Sequence, residues 1–313
     1  MIIRAGTRPD GSSEDKNMTA TQGLLMFTTV FAAVMGNFCK NTFCKGMLKN
    51  QSDNLCFNLV GNVFVLVVVT LLGGASAVAQ TTFCYGAGMG IFNLLAALLF
   101  ALALSCGPMS LTTLIQLGIS LVVSALLGPV FWHEPITAYQ AVGILMLLIA
   151  IVLTSNTKVD KNISVKWLVL TILAGAFNAT LGLFQKLQNM SPHPEEQMGF
   201  LFWCFIFSTG LNIVWLTLRT KTGKKETVTF QLKGKVLLFA LLCGVSMAAQ
   251  HIINLKMVGA LPTAVFFPLC SGSRILCTAL LGIFWFKEKL SRRQLIGFII
   301  GFAALMLIAG VFG

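Results

Sequence analysis

Ten stretches of mostly apolar residues follow one another along the chain, each near the roughly 20 residues a helix needs to cross the hydrocarbon core of a bilayer. They cover residues 21–39, 54–76, 83–104, 108–131, 138–154, 166–187, 198–218, 235–256, 262–286 and 293–312. Only 10% of the 313 residues are charged and 56% are hydrophobic, against about 25% charged in an ordinary soluble domain. Such a chain lacks the polar residues to cover a water-facing surface, so lipid is its expected solvent and first partner. Alternating strands of about ten residues, the mark of an outer-membrane barrel, are absent. The expectation is an all-α integral membrane protein with ten transmembrane helices, a multi-pass protein of the cell membrane.

The first 20 residues mix charges of both signs and hold no apolar core, so they read as a disordered tail and not as a cleavable signal. The nine cysteines form no C-x-x-C pair, and most, including Cys39, Cys84, Cys106, Cys204, Cys243, Cys270 and Cys277, lie in or at the ends of apolar runs. Small buried hydrophobes fit that placement better than metal ligands or a disulfide framework, and no metal or cofactor is expected. The formal net charge of +12 sits on Lys and Arg between spans, with no soluble basic domain to use it on nucleic acid.

Shifting the sequence by 154 residues lays one segment over another without a gap. Pro108 meets Pro262, Gly118 meets Gly272, Ala125–Gly128 meets the identical Ala279–Gly282, and Glu134, Gln140 and Gly143 meet Glu288, Gln294 and Gly297. A shift of 146 pairs Phe31, Gly36, Phe38 and Lys40 with Phe177, Gly182, Phe184 and Lys186. The chain therefore divides into a tail (1–20) and two similar five-helix repeats, 21–155 and 164–312. Five is odd, so the second repeat enters the bilayer in the opposite sense to the first. Inverted repeats of this kind are a recurring design of secondary transporters, with the substrate site near the midplane between the halves.

The repeated pattern reads LLGPVFWHEPITAYQAVG and LLGIFWFKEKLSRRQLIG: small residues, an aromatic end, a Glu, a Ser or Thr three residues on, a Gln and a Gly. In this it resembles the EamA-like branch of the drug/metabolite transporter superfamily, over residues 20–312. The resemblance implies a permease of small metabolites. It leaves the substrate open, since similar proteins move amino acids, nucleotides, sugars, phosphorylated metabolites and drugs. It also implies termini inside the cell. The charge count points the other way, because sixteen Lys and Arg lie at the connections after spans 1, 5, 7 and 9 and five on the opposite side, which by the positive-inside rule places both termini outside.

Arg274 lies about twelve residues, or about 18 Å at 1.5 Å per residue, from either end of the ninth span. A charge at that depth is costly and marks a water-filled cavity or a partner. The alternative is that it binds carbonyls freed by a helix break at Pro268. Phe267, Cys270, Ser271 and Thr278 lie at helical spacing from it. Its repeat counterpart, Ser120, shares a stripe with Thr113, Gln116 and Ser124, read either as substrate lining or as a packing seam. Asn178 in span 6 and Gln250 in span 8 complete the candidate substrate-binding set of Arg274, Gln116, Ser120, Ser271, Phe267, Gln250 and Asn178. Phe92, Phe177 and Phe266 are candidates, with Phe267, for apolar walls.

His251, beside Asn254 and Lys256, is a candidate for coupling protons to transport, although a lone His near a helix end is more often a satisfied hydrogen bonder. Lys40 and Lys186, at matched ends of spans 1 and 6, are expected to snorkel to the interface. Glu134 and Glu288 approach spans 5 and 10, whose starts Thr137 and Ser291 can cap. No acidic residue lies mid-span, which disfavours a central carboxylate exchanging a cation for a proton.

With Arg as the only central charge, the expected substrate is a small anionic or carboxylate-bearing solute, moved by alternating access with a proton or counter-solute as a possible partner. The other readings are multidrug or amino-acid efflux on the same fold and an intramembrane lipid-modifying enzyme. The absence of G-x-x-x-x-G-K-[ST], H-E-x-x-H and G-x-S-x-G argues against an ATP-driven pump, a metalloprotease and a hydrolase. No enzymatic activity is expected.

Overall fold

The computed structural model describes residues 20–44, 51–106, 109–154, 164–221, 234–286 and 291–308. Ten α-helices account for nearly all of them: α1 (Ala20–Cys44), α2 (Gln51–Val69), α3 (Gln80–Cys106), α4 (Met109–Trp132), α5 (Ala138–Thr154), α6 (Val165–Asn189), α7 (Gln197–Lys221), α8 (Lys235–Ala260), α9 (Thr263–Phe286) and α10 (Arg292–Ile308). Each expected apolar stretch has its helix, and among the described residues there is no strand. The end of α2 widens into a π-helical turn, Thr70–Gly74, which stops where Gly73 turns to φ 90°.

Six helices, α2, α3, α4, α6, α7 and α8, are long and apolar enough to cross a membrane. The apolar windows in α1, α5 and α9 are shorter. At 17 residues, α5 reaches only about 25 Å, less than the roughly 30 Å hydrocarbon core.

The outer surface fits lipid better than water. Phe27, Leu71, Leu145, Ile299 and Phe302 are all more than half exposed, and apolar side chains in such number on the outside would form sticky patches on a soluble monomer. Inside, polar residues are buried instead, among them Thr29, Asn62, Gln185, Lys186, Ser208 and Asn212.

Two apolar clusters organise the packing. One joins Leu121 and Ala125 of α4, Leu147 and Ile151 of α5, Phe266 and Leu269 of α9 and Ala304 and Ile308 of α10. The other joins Val65 and Val69 of α2, Met89 of α3, Phe200 and Cys204 of α7 and Leu255 of α8. Around them α3 packs on α6 and α7, α1 on α8 and α9, α2 on α7 and α8, α4 on α6 and α9, and α5 on α10.

The α3–α7 seam is set by Gly86 and Gly90, one turn apart. A Cβ at Gly86 would lie 2.7 Å from the Phe200 carbonyl oxygen, and one at Gly90 would lie 2.4 Å from that of Cys204. Small residues four apart are what lets membrane helices approach this closely.

Helix starts follow local rules. Thr137 accepts from the Gln140 N–H at 3.2 Å while the Gln140 side chain accepts from the Thr137 N–H at 3.0 Å. Ser291 and Gln294 repeat the arrangement before α10, at 3.3 and 2.8 Å. Both are capping boxes, so the repeated Ser/Thr-x-x-Gln of the sequence pattern is a helix-start device. Among the described cysteines, Cys39, Cys204 and Cys243 are buried, Cys84 is exposed, and none is joined in a disulfide.

Candidate functional site

Mid-way along α9, the residues Phe267, Cys270, Ser271 and Arg274 fall at positions i, i+3, i+4 and i+7 and so share one face. That face borders a cavity of about 230 Å³. The helix is continuous through Pro268, so the expected break is absent, and Arg274 does not bind carbonyls there. Among the described residues Arg274 has no hydrogen bond and no carboxylate within ion-pairing distance. It is the one lining residue that carries a permanent charge.

The cavity is also lined by Ser120 and Ser124 of α4 and by Asn178, Gly182 and Gln185 of α6. Further lining comes from Gln250, His251 and Asn254 of α8, Thr29 of α1 and Asn93 of α3. Hydrogen bonds between helices fix part of this ring. Asn178 Nδ2 donates to Ser120 Oγ at 2.9 Å, joining α6 to α4. Thr29 Oγ1 donates to Asn254 Oδ1 at 2.8 Å, joining α1 to α8. Asn93 donates to Ser208 of α7 at 3.1 Å, a hydroxyl that also accepts from Asn62 of α2 at 3.4 Å.

Aromatic rings shape the rest. Phe266 and Phe267 both border the cavity and meet edge to face at 5.1 Å. The Phe267 ring lies against bare Gly182, where an added Cβ would come within 2.2 Å of it. Phe92 and Phe177 do not border the cavity but meet edge to face at 5.3 Å. His251 packs against Phe205 at 5.3 Å, and its Nδ1 is buried without a hydrogen-bond partner. It is therefore not the satisfied hydrogen bonder that its position suggests.

Of the eight residues singled out from sequence, Arg274, Ser120, Ser271, Phe267, Gln250, Asn178 and His251 border this one cavity, and Gln116 does not. Positions four apart drift about 40° around a helix of 3.6 residues per turn, which carries Gln116 off the line of Ser120 and Ser124. Its backbone instead packs on α6, where a Cβ at Gly175 would lie 2.8 Å from the Gln116 carbonyl oxygen. Thr29, Asn93 and Gln185 were missed. Asn93 is a single polar residue in an otherwise apolar run and that interruption was its only signal, while Thr29 sits beside Thr28 and Gln185 beside Lys186, where polar neighbours mask them. The side chains of Lys40, Thr113 and Thr278, and residue Glu288, lie outside the described set.

One turn beyond Gly182, α6 carries one half of an ion pair. Lys186 is buried, not snorkelling to an interface; it donates to Glu134, and its ammonium sits 4.8 Å from the centre of the Trp132 ring. The chain bends back after α4, with His133 at φ 54° and the Glu134 N–H bonded to the Gly128 carbonyl at 3.3 Å, which aims Glu134 at its partners. Its Oε2 accepts from the N–H and the hydroxyl of Thr263 at 2.9 and 2.8 Å. The carboxylate thus caps α9 and leaves α5 to Thr137. Partial burial works to raise the Glu134 carboxyl, but Lys186 and the Thr263 donors outweigh it and hold it below the usual carboxylate range.

No family model matches the chain, and no curated protein matches it. Solved structures do match: one crystal structure, 12% identical in sequence, aligns over 94% of this chain and 98% of its own with a TM-score of 0.72. The fold is shared. At that identity the likeness carries the helix arrangement alone, and the shared fold spans the cavity and the helices around it.

Proposed function

We propose that the chain is a secondary transporter, resembling the EamA-like drug/metabolite permeases, that moves a small anionic solute across the cell membrane by alternating access. In this reading ten spans form two inverted five-helix repeats, 21–155 and 164–312, with the cavity between them. The packing supports it. Exchanging each helix with its repeat counterpart turns the α1–α8 contact into α6–α3, α2–α8 into α7–α3, and α1–α9 into α6–α4, and all of these contacts occur. Residues of both repeats also border the cavity, as a site opened to each side in turn requires.

The observation that carries the reading is Arg274. A guanidinium held in the middle of an apolar helix without a counter-charge is costly, and a bound anion is the partner that removes the cost, through the paired hydrogen bonds this group makes to carboxylate or phosphate. Transport is then driven by a solute or ion gradient, with His251 a candidate for the proton step.

The test is thermal stability of the purified chain in detergent across anionic, zwitterionic and cationic metabolites, for wild type and Arg274→Gln. A ligand at one hundred times its Kd stabilises the state it binds by about 2.7 kcal/mol. Stabilisation by an anionic class is expected for wild type and not for Arg274→Gln. Equal stabilisation of the two proteins, or stabilisation by cations alone, would make Arg274 a structural residue.

A further inference from the structure

The lining of the cavity says more about its occupant than the sign of one charge. Resting on the anion-transport reading above, we infer that the cavity selects a small hydroxylated monocarboxylate and rejects the amino acid of the same carbon skeleton.

Two observations carry this. First, Arg274 is the one permanently charged lining residue, and among the described residues the lining holds no Asp or Glu. A substrate ammonium would enter with no carboxylate to receive it and with a guanidinium close by. At an effective dielectric constant of about 20, two like charges a few ångströms apart repel by several kcal/mol, and an unpaired charge in a water-poor site bears its own desolvation cost. A zwitterion therefore forfeits at its ammonium what it gains at its carboxylate. A dianion meets the complementary difficulty, since one guanidinium leaves its second charge unmatched.

Second, the remaining polar lining consists of neutral amides, hydroxyls and an imidazole. The Thr29–Asn254 and Asn178–Ser120 bonds hold two pairs in place. The side chains of Gln185, Gln250, Ser124 and Ser271 have no hydrogen-bond partner among the described residues. Amides offer a donor and an acceptor on one rigid plane, which suits vicinal hydroxyls. An unhydroxylated acid would leave these groups unpaired on closure, and buried polar groups left unpaired are what make a polar site reject an apolar analogue.

The test uses matched acids on the purified full-length chain, read by thermal shift and by competition for uptake of radiolabelled gluconate into proteoliposomes. Glycerate, serine and propionate share three carbons; gluconate, 2-amino-2-deoxygluconate and hexanoate share six. At least one hydroxy acid is expected to bind on the order of tenfold or more tightly than both its ammonium and its unhydroxylated counterpart. 3-Phosphoglycerate serves as the dianion. If an amino acid or the dianion binds best and Arg274→Gln abolishes it, the anion site stands and this inference is overturned. If hexanoate equals gluconate, the hydroxyl argument is overturned. If no anion in the panel binds, both the inference and the reading it rests on fall.

A second variant guards against simple misfolding. Asn254→Asp keeps the acceptor for the Thr29 hydroxyl and adds the missing carboxylate. It is expected to weaken the hydroxy acid and to gain affinity for its ammonium counterpart. If the variant folds and still prefers the hydroxy acid as wild type does, the charge argument is overturned.

Discussion

A carboxylate that accepts from a lysine and from the start of a helix at once, as Glu134 does, gives up on protonation the charge that strengthens its bonds to both Lys186 and Thr263. Its folded carboxyl is held below the usual range, so its stabilisation is fully present above that range and is lost as pH falls through the folded value. Glu196 behaves alike. The Thr82 hydroxyl and then the Ala79 N–H at the start of α3 hold its carboxyl low. Thermal denaturation from pH 7 to pH 4 should therefore lower the wild-type Tm more than that of Glu134→Gln, which has already lost the charge. At pH 7 the substitution should cost about 1–3 kcal/mol, below the 3–5 typical of a fully buried pair because Glu134 retains some exposure. A pH response identical in the two proteins would show that the pair contributes nothing. Lys186 illustrates what a sequence hides at this scale. Its position at a helix end implied an interface, but its partner is 52 residues away, and no local periodicity reports a contact at that distance. Arg274 was legible because a charge in an apolar run is conspicuous without knowing its neighbours.

Between helices, what matters is how closely two backbones can come. Gly86 and Gly90 bring α3 against α7 with no room for a side chain, and the same face of α3 continues to Asn93, whose bond to Ser208 ties the cavity wall to α7. Gly90→Leu should force the two helices apart and cost about 1–3 kcal/mol or more. The loss would be measured as a lower Tm, together with weaker anion-dependent stabilisation. An unchanged Tm would mean that the seam tolerates separation. Helix existence was legible from apolar length, and the capping boxes at Thr137 and Ser291 were legible because donor and acceptor lie three residues apart. The α3–α7 seam was not, since many glycines interrupt these runs and only packing distinguishes those that meet a backbone. Gln116 failed for a related reason: a stripe read at intervals of four drifts around the helix, and the cavity ends before the stripe does.

For the whole molecule, the order of helices and the match between the two halves of the sequence make a geometric prediction. In a ten-span arrangement the connections holding His133 and His193 lie on one side of the membrane, and those holding Ser164 and Ser291 on the other. Single cysteines placed at these four positions in an otherwise cysteine-free chain should label in two pairs from opposite faces with an impermeant thiol reagent. Labelling of all four from one face would refute the inverted repeat. The repeat itself was legible because gapless identities survive in the sequence, whereas which side chains of α1, α3, α4, α6, α8 and α9 turn toward the one cavity required three dimensions. If the chain is the anion transporter proposed above, the contact between Gly182 and the Phe267 ring bears on how it would change its diet. The ring fills space beside Gly182, while the proposed anion anchor lies seven positions further along α9 at Arg274. Trimming the ring would then enlarge the chamber without touching that anchor, so a lineage could diversify the size of its cargo one substitution at a time while the charge it accepts stayed the same.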